Sequence, residues 1–219
     1  MSMTLAIFDL DNTLIAGDSD HRWGQFLCDI GLADPQGHAQ TNDRFYADYQ
    51  AGTLDITAYL SFALAPIAGK TTAEVALLQS RFMDDCFESM RLPKAIELIE
   101  RHRAQGEHLL IISATHTVVT RPIADQLGID DLIASEAEII NGVYSGRPIG
   151  IPSFQAGKID RLEAWCTEHN ISLNGATFYS DSHNDLPLLR HVDHAVAVDP
   201  DPKLRAAASA AGWPVLSLR

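Results

Sequence analysis

The stretch Leu5-Ala6-Ile7-Phe8-Asp9-Leu10-Asp11-Asn12-Thr13-Leu14 constrains this chain more than any other. Its opening apolar run, closed by a turn signal, reads as a buried strand. The strand ends in two carboxylates, Asp9 and Asp11, spaced two apart. Side chains alternate along a strand, so two acids converge on one spot only where strand gives way to loop. In an open α/β sheet that carboxyl end is where ligands bind. Neighbouring carboxylates repel unless a proton or cation offsets them. A hard cation such as Mg2+, held by one or two carboxylates plus phosphate oxygens, suits the pair. A strand followed by an ordinary Asp/Asn turn gives the same letters without the chemistry.

Three later segments weigh against that plain reading. Leu109-Leu110-Ile111-Ile112-Ser113-Ala114-Thr115 is a second buried strand, ending in hydroxyls. Gly157-Lys158 opens a helical pattern with Ile159, Leu162 and Trp165 on one face. Thr177-Phe178-Tyr179-Ser180-Asp181-Ser182-His183-Asn184-Asp185 is another apolar strand whose tip carries two acids, four apart. Acid pair, hydroxyl, lysine and acid pair, in that order along nearly the whole chain, resemble the four motifs of the haloacid dehalogenase-like hydrolases. The branch that includes phosphoserine phosphatase, with a small helical cap inserted after the first motif, is the nearest in pattern.

The resemblance implies an α/β fold: a doubly wound, Rossmann-like parallel sheet of residues 1–15 and 91–219, with a helical cap of residues 16–90 inserted. It implies phosphoryl transfer with Mg2+ as cofactor. Asp9 would be the nucleophile, forming an aspartyl-phosphate that splits one hard step into two. Asp11 would protonate the leaving alkoxide and then activate water, with its backbone carbonyl on the metal. Ser113 and the Ala114 amide would hold phosphate oxygens. Lys158 would neutralise phosphate and nucleophile as a point charge. Asp9, Asp11, Asp181 and Asp185 would form the metal site, Asp185 directly or through water. Asn12 and Thr13 would order the loop. Each position also has a plain role. Ser113 suits a helix cap, Lys158 a solvated surface, Asp181 a turn and Asp185 a first helical turn. His183 reads as a loop residue, and His116 as a neighbour of the site or a substrate contact.

Between the first two strands the sheet pattern lapses for about seventy residues. Trp23, Phe26, Leu27 and Ile30 fall at helical spacing, with Ser19 as the expected N-cap and Gly31 as the stop. Further helices are expected over 40–50, from near Thr53 to Gly69, and from the capping box Thr71-Thr72-Ala73-Glu74 toward Met90. Pro93 suits the first turn of a helix that Gly106 ends. Ala137 to Ile149, centred on Asn141-Gly142, reads as a β-hairpin appended to the core.

Specificity must come from the insert, because the core chemistry is generic. In the phosphoserine phosphatase branch a glutamate after the first motif meets the substrate ammonium, and here the matching position holds Asp18. A cap arginine clamps the substrate carboxylate there, bidentately, and the matching position here holds Ser61. That departure implies a phosphorylated amino alcohol without a carboxylate. Ala16-Gly17-Asp18-Ser19-Asp20-His21-Arg22-Trp23-Gly24 resembles a bacterial subgroup that includes histidinol-phosphatases, and L-histidinol phosphate fits the description. Asp18, Asp20 and His21 would supply acceptors, Arg22 would meet phosphate or a carboxylate, and Trp23 would stack on the ring or pack in the cap. Phosphoserine remains the other candidate. Asp11 argues against a dehalogenase, which needs no second acid. A phosphomutase is left open, and a non-catalytic binding module would have lost part of the set.

The 219 residues can bury a full core. The formal net charge of −13 argues against nucleic acid and anionic membrane as partners, and it means that the small phosphate ester the resemblance implies must be drawn in by the local positive charge of Mg2+ and Lys158. No apolar run is long enough to span a bilayer, and the amino terminus lacks a signal-peptide layout. Cys28, Cys86 and Cys166 are scattered and suit a reducing cytoplasm.

Overall fold

The structure, a computed structural model, describes residues 4–219. Its frame is a seven-stranded sheet in the order β4-β3-β2-β1-β5-β6-β7. The strands are β1 (Leu5–Phe8), β2 (His108–His116), β3 (Asp131–Ile140), β4 (Val143–Ile149), β5 (Thr177–Ser180), β6 (His194–Val198) and β7 (Val215–Leu216). Every pairing is parallel except β3 with β4.

The central strand β1 is buried along its whole length, as an apolar run flanked by parallel neighbours requires. Its side chains divide between two cores. Ala6 and Phe8 face one layer of helices, Leu5 and Ile7 the other. The first layer contains α5 (Pro93–Ala104) and α6 (Thr117–Gln126); the second contains α7 (Ala156–His169), α8 (Leu186–Leu189) and α9 (Pro202–Ala211). Each fully buried Leu, Ile or Phe of this frame contributes about 1.5–3 kcal/mol. The winding order reverses at β1. The crevice beyond the carboxyl ends of β1, β2 and β5 is therefore the topological switch point, where such sheets bind ligands.

Between β1 and α5 lie α1 (Ser19–Asp29), α2 (Pro35–Ala51), α3 (Ile56–Leu64), a 3-10 turn and α4 (Thr72–Met90). The helix ends refine the sequence reading. Asp18, not Ser19, caps α1, its carboxylate accepting from the His21 N–H at 2.9 Å. Helix α2 starts earlier than expected because Asp34 caps it and Pro35 sits in its first turn, where a missing N–H costs nothing. Helix α3 waits until Asp55 caps it. The capping box at α4 forms on both sides, Thr71 N–H to Glu74 and Glu74 N–H to Thr71.

The hairpin of β3 and β4 turns at Asn141 and Gly142, both with positive φ, as a two-residue turn of matching twist needs. It does more than decorate the sheet. Tyr144 exchanges backbone hydrogen bonds with Gly69 and Lys70, and Thr72 N–H donates to Gly142 O, so the hairpin braces the junction of α3 and α4. Among the described residues no helix is long and apolar enough to cross a membrane.

Candidate active site

Three strand ends and one helix start deliver the polar groups to the crevice. Asp9 follows β1, with its N–H bonded to Tyr179 O of β5 at 2.9 Å. Lys158 reaches it from the first turn of α7. Its Nζ lies 2.8 Å from Asp9 Oδ1 and 2.8 Å from Asp185, and it is only 2% exposed. The approach of α7 depends on Gly157, where a Cβ would fall 2.3 Å from Pro152 O. Asp185 also accepts from Ser180 Oγ at 2.7 Å. Thr13 Oγ1 sits between Asp9 (3.4 Å) and Asp181 (3.2 Å) and accepts the Asp181 N–H at 3.1 Å. Asn12 turns the loop with a φ of 57°.

Asp11 is held from two sides. The Ser19 N–H donates to one oxygen at 2.6 Å, and Thr115 Oγ1 donates to the other at 2.9 Å. Ser113 Oγ is 3.5 Å from the same carboxylate and accepts the Thr115 N–H.

Four carboxylates thus share one buried region with one lysine. Burial pushes Asp9 up to about 7, the Lys158 charge pulls it down, and Asp185 and Asp11 add repulsion. Burial, then Asp18, raises Asp11 to about 7 against its hydrogen bonds. Burial, then Asp9 and Asp185, holds Asp181 well above the usual carboxylate range. Burial opposes the charge on Lys158, but Asp185 and Asp9 outweigh it and keep the ammonium protonated.

These groups line a cavity of about 800 Å3. The core contributes Asp9, Asp11, Ser113, Ala114, Lys158, Asp181 and Asp185, so every expected core residue is brought together. Asp185 differs in detail. Its oxygens accept from Lys158 and Ser180, which ties it to the lysine. Of the five expected insert residues, Asp18 and His21 line the cavity, while Asp20, Arg22 and Trp23 do not. Trp23 packs edge-on against Phe82 in the helical core. Arg22 lies on the side of Cys86, where its charge opposes the rise that burial imposes on the thiol. Asp20 is buried against His116. Asp18 caps α1 and still faces the cavity, raised to about 6 by burial and by Asp20.

The sequence reading missed the opposite wall, formed by Asn42, Asp43, Phe45, Tyr46 and Tyr49 of α2 together with Tyr59 of α3. Helix α2 carries no pattern that marks one face as functional. Thr115 was within reach, since it lies two residues from Ser113 on the same strand. His183 is tied to Asp201, which accepts both its N–H and its ring at 2.7 Å.

Residues 6–190 match the family model of the haloacid dehalogenase-like hydrolases. The chain belongs to that family. It is an enzyme of the family's phosphatase type. It is 44% identical over 219 residues to a histidinol-phosphatase of Neisseria meningitidis serogroup C, with 98% of this chain and 99% of the relative covered. It is 30% identical to the phosphoserine phosphatase SerB1 of Mycobacterium tuberculosis, covering 98% of this chain and 70% of that protein. A crystal structure from Bordetella pertussis Tohama I, of a protein with unknown function, superposes with a TM-score of 0.92 at 37% identity over the whole of both chains.

Proposed function

We propose that this hydrolase cleaves a small phosphomonoester bearing an ammonium and no carboxylate, with L-histidinol phosphate as the substrate. The observation that carries the choice is the lining of the cavity: Asp18 and Asp43 lie among aromatic side chains, and no arginine is present. An ammonium and an imidazole suit that lining. A substrate carboxylate would lack the bidentate partner that recognises it best. Ser61, at the place of the family's clamp, donates instead to Thr57 O within α3, and Arg44 lies over the Phe45 ring.

Asp9 attacks phosphorus, the bond to the ester oxygen breaks, and Asp11 gives its proton to the departing alkoxide. Asp11, now ionised, takes a proton from water as that water displaces Asp9, releasing inorganic phosphate. Lys158 favours the ionised form of Asp9 and meets phosphate charge. Ser113 and the Ala114 N–H orient the phosphate oxygens.

The donor set fits Mg2+. Among the described residues no three His, Cys, Asp or Glu side chains form a cage. Asp9 and Asp181, bridged by Thr13, instead offer the one or two hard oxygens that Mg2+ takes beside substrate phosphate and water. Once bound there, the ion would relieve carboxylate repulsion and polarise the phosphoryl group. A reducing cytoplasm is the compartment we assign.

The test is kcat/KM with Mg2+ for L-histidinol phosphate and L-phosphoserine on one preparation. A hundredfold preference for the former, about 2.7 kcal/mol, is expected. A preference for phosphoserine would overturn the substrate assignment and leave the chemistry standing.

A further inference from the structure

Two links, one residue apart, join α1 to the end of β2, and Asp11 sits beside both. Ser19 of α1 and Thr115 of β2 each donate to Asp11. The next residue on each segment forms the second link. Asp20 Oδ1 lies 3.2 Å from His116 Nε2, with the two side chains 3% and 0% exposed. The contact has the reach of an ion pair without the alignment of a hydrogen bond. Neither residue lines the cavity. Tyr59 of α3 and His38 of α2 also face Asp20, and burial raises its carboxyl while His116 and Tyr59 bring it below its usual value.

A buried polar pair of this kind is poor value as a source of stability, because desolvation consumes most of the attraction. Its position supplies a different reason for it. Ser19 cannot shift without Asp20, nor Thr115 without His116, so the pair sets the spacing between the two donors that grip Asp11.

We propose that Asp20 and His116 are positioning residues that fix α1 against β2 so that Asp11 meets the leaving oxygen. This rests on the role proposed above for Asp11 as the acid. In that step the Asp9–phosphorus bond forms, the ester bond breaks with its electron pair on the leaving oxygen, and the Asp11 proton moves to that oxygen. An alkoxide needs the proton; p-nitrophenolate leaves without it. Because kcat/KM counts only steps through departure of the leaving group, the ratio of alkyl to aryl ester isolates the acid's placement.

The experiment measures kcat/KM with Mg2+ for p-nitrophenyl phosphate and for L-histidinol phosphate, or for phosphoserine if that alkyl ester is the better substrate. Asp20→Ala and His116→Ala should lower the alkyl ester by about 30–100-fold and the aryl ester by less than about threefold, the size of effect that a misplacement near 1 Å produces. Asp20→Asn keeps an oxygen for His116 and should recover about tenfold of the alkyl loss. Equal losses on both esters, or no loss on either, overturn the proposal. If the alanine variants do not fold, Asp20→Asn and His116→Gln read the same ratio, and a ratio equal to wild type overturns it. Asp11→Asn separates the two ideas. If it lowers both esters alike, the acid role of Asp11 fails; if it is selective for the alkyl ester and the Asp20 and His116 variants are not, the positioning role alone fails.

Discussion

Helices α1 and α2 both border the cavity and touch each other through His21 and Asn42, yet they are held in place by different forces. Seven of the eleven residues of α1 are buried, Trp23, Phe26 and Leu27 among them, and its first turn is tied to the core through Asp11. Only Phe45 is buried among the seventeen residues of α2. What fastens α2 to the core is polar and sits at its carboxyl end. Tyr49 donates to Ser182 Oγ at 2.8 Å, Asn184 donates to Tyr49 O at 3.2 Å, and Lys203 donates to Gln50 O at 2.8 Å. Water can replace such bonds at a net cost of about 1 kcal/mol each, whereas separating α1 would expose large aromatic area. Apolar burial therefore holds α1 in place, and polar bonds at one end hold α2.

The largest effect belongs to the core that both helices cover. Asp9→Asn should lower turnover by at least about a thousandfold with an unchanged circular dichroism spectrum, since an amide of the same size is a poor nucleophile. Activity within tenfold of wild type would remove Asp9 from that role.

Stability should divide the two helices next. Trp23→Ala should cost about 3–5 kcal/mol in urea unfolding, and Tyr46→Ala, at a site 56% exposed, no more than about 0.5 kcal/mol. Equal costs would erase the contrast.

The buried carboxylates make a third, smaller difference. Asp9 and Asp11 rise from 3.8 to about 7 in the folded protein. A carboxyl raised on folding stabilises the native state fully below its unfolded value, and that contribution is lost as pH climbs through its folded value. Metal-free protein should therefore lose this contribution between about pH 4 and pH 7. Added Mg2+, which favours the ionised forms, should raise Tm more at pH 8 than at pH 5. The same increment at both pH values, or none, would contradict the assigned metal site.

The smallest effect is on α2. Tyr49→Phe removes one hydrogen bond and should cost about 1 kcal/mol, seen as faster amide exchange over residues 35–51 with exchange in α1 unchanged. Faster exchange spread equally over both helices would mean that they move as one body.

These two helices were also unequally legible before folding. The spacing of Trp23, Phe26 and Leu27 identified α1 because an apolar face has to be paired with a core. Helix α2 has almost no such face, so its extent was read short and its side chains were not connected to the site. The resemblance carried by the run from Ala16 to Gly24 suggests Asp20 and Arg22 as substrate contacts and leaves Trp23 between stacking on the ring and packing in the cap. Successive residues on a helix point about a hundred degrees apart, so at most one or two of such a run can face the same cavity.

Local rules suffice for the strands, the capping box at Thr71, the Asn141-Gly142 turn and the order of Asp9, Asp11, Ser113, Lys158 and Asp181, because burial, backbone geometry and the cost of adjacent charge act over a few residues. Those are what the sequence by itself determined. The tertiary structure decided which of the acids faces a partner: Asp185 committed to Lys158, Asp20 to His116, and the wall of α2 drawn over the crevice. Such pairings join residues as far apart as Gln50 and Lys203, 153 positions, and their geometry exists only once the sheet has brought its strand ends together.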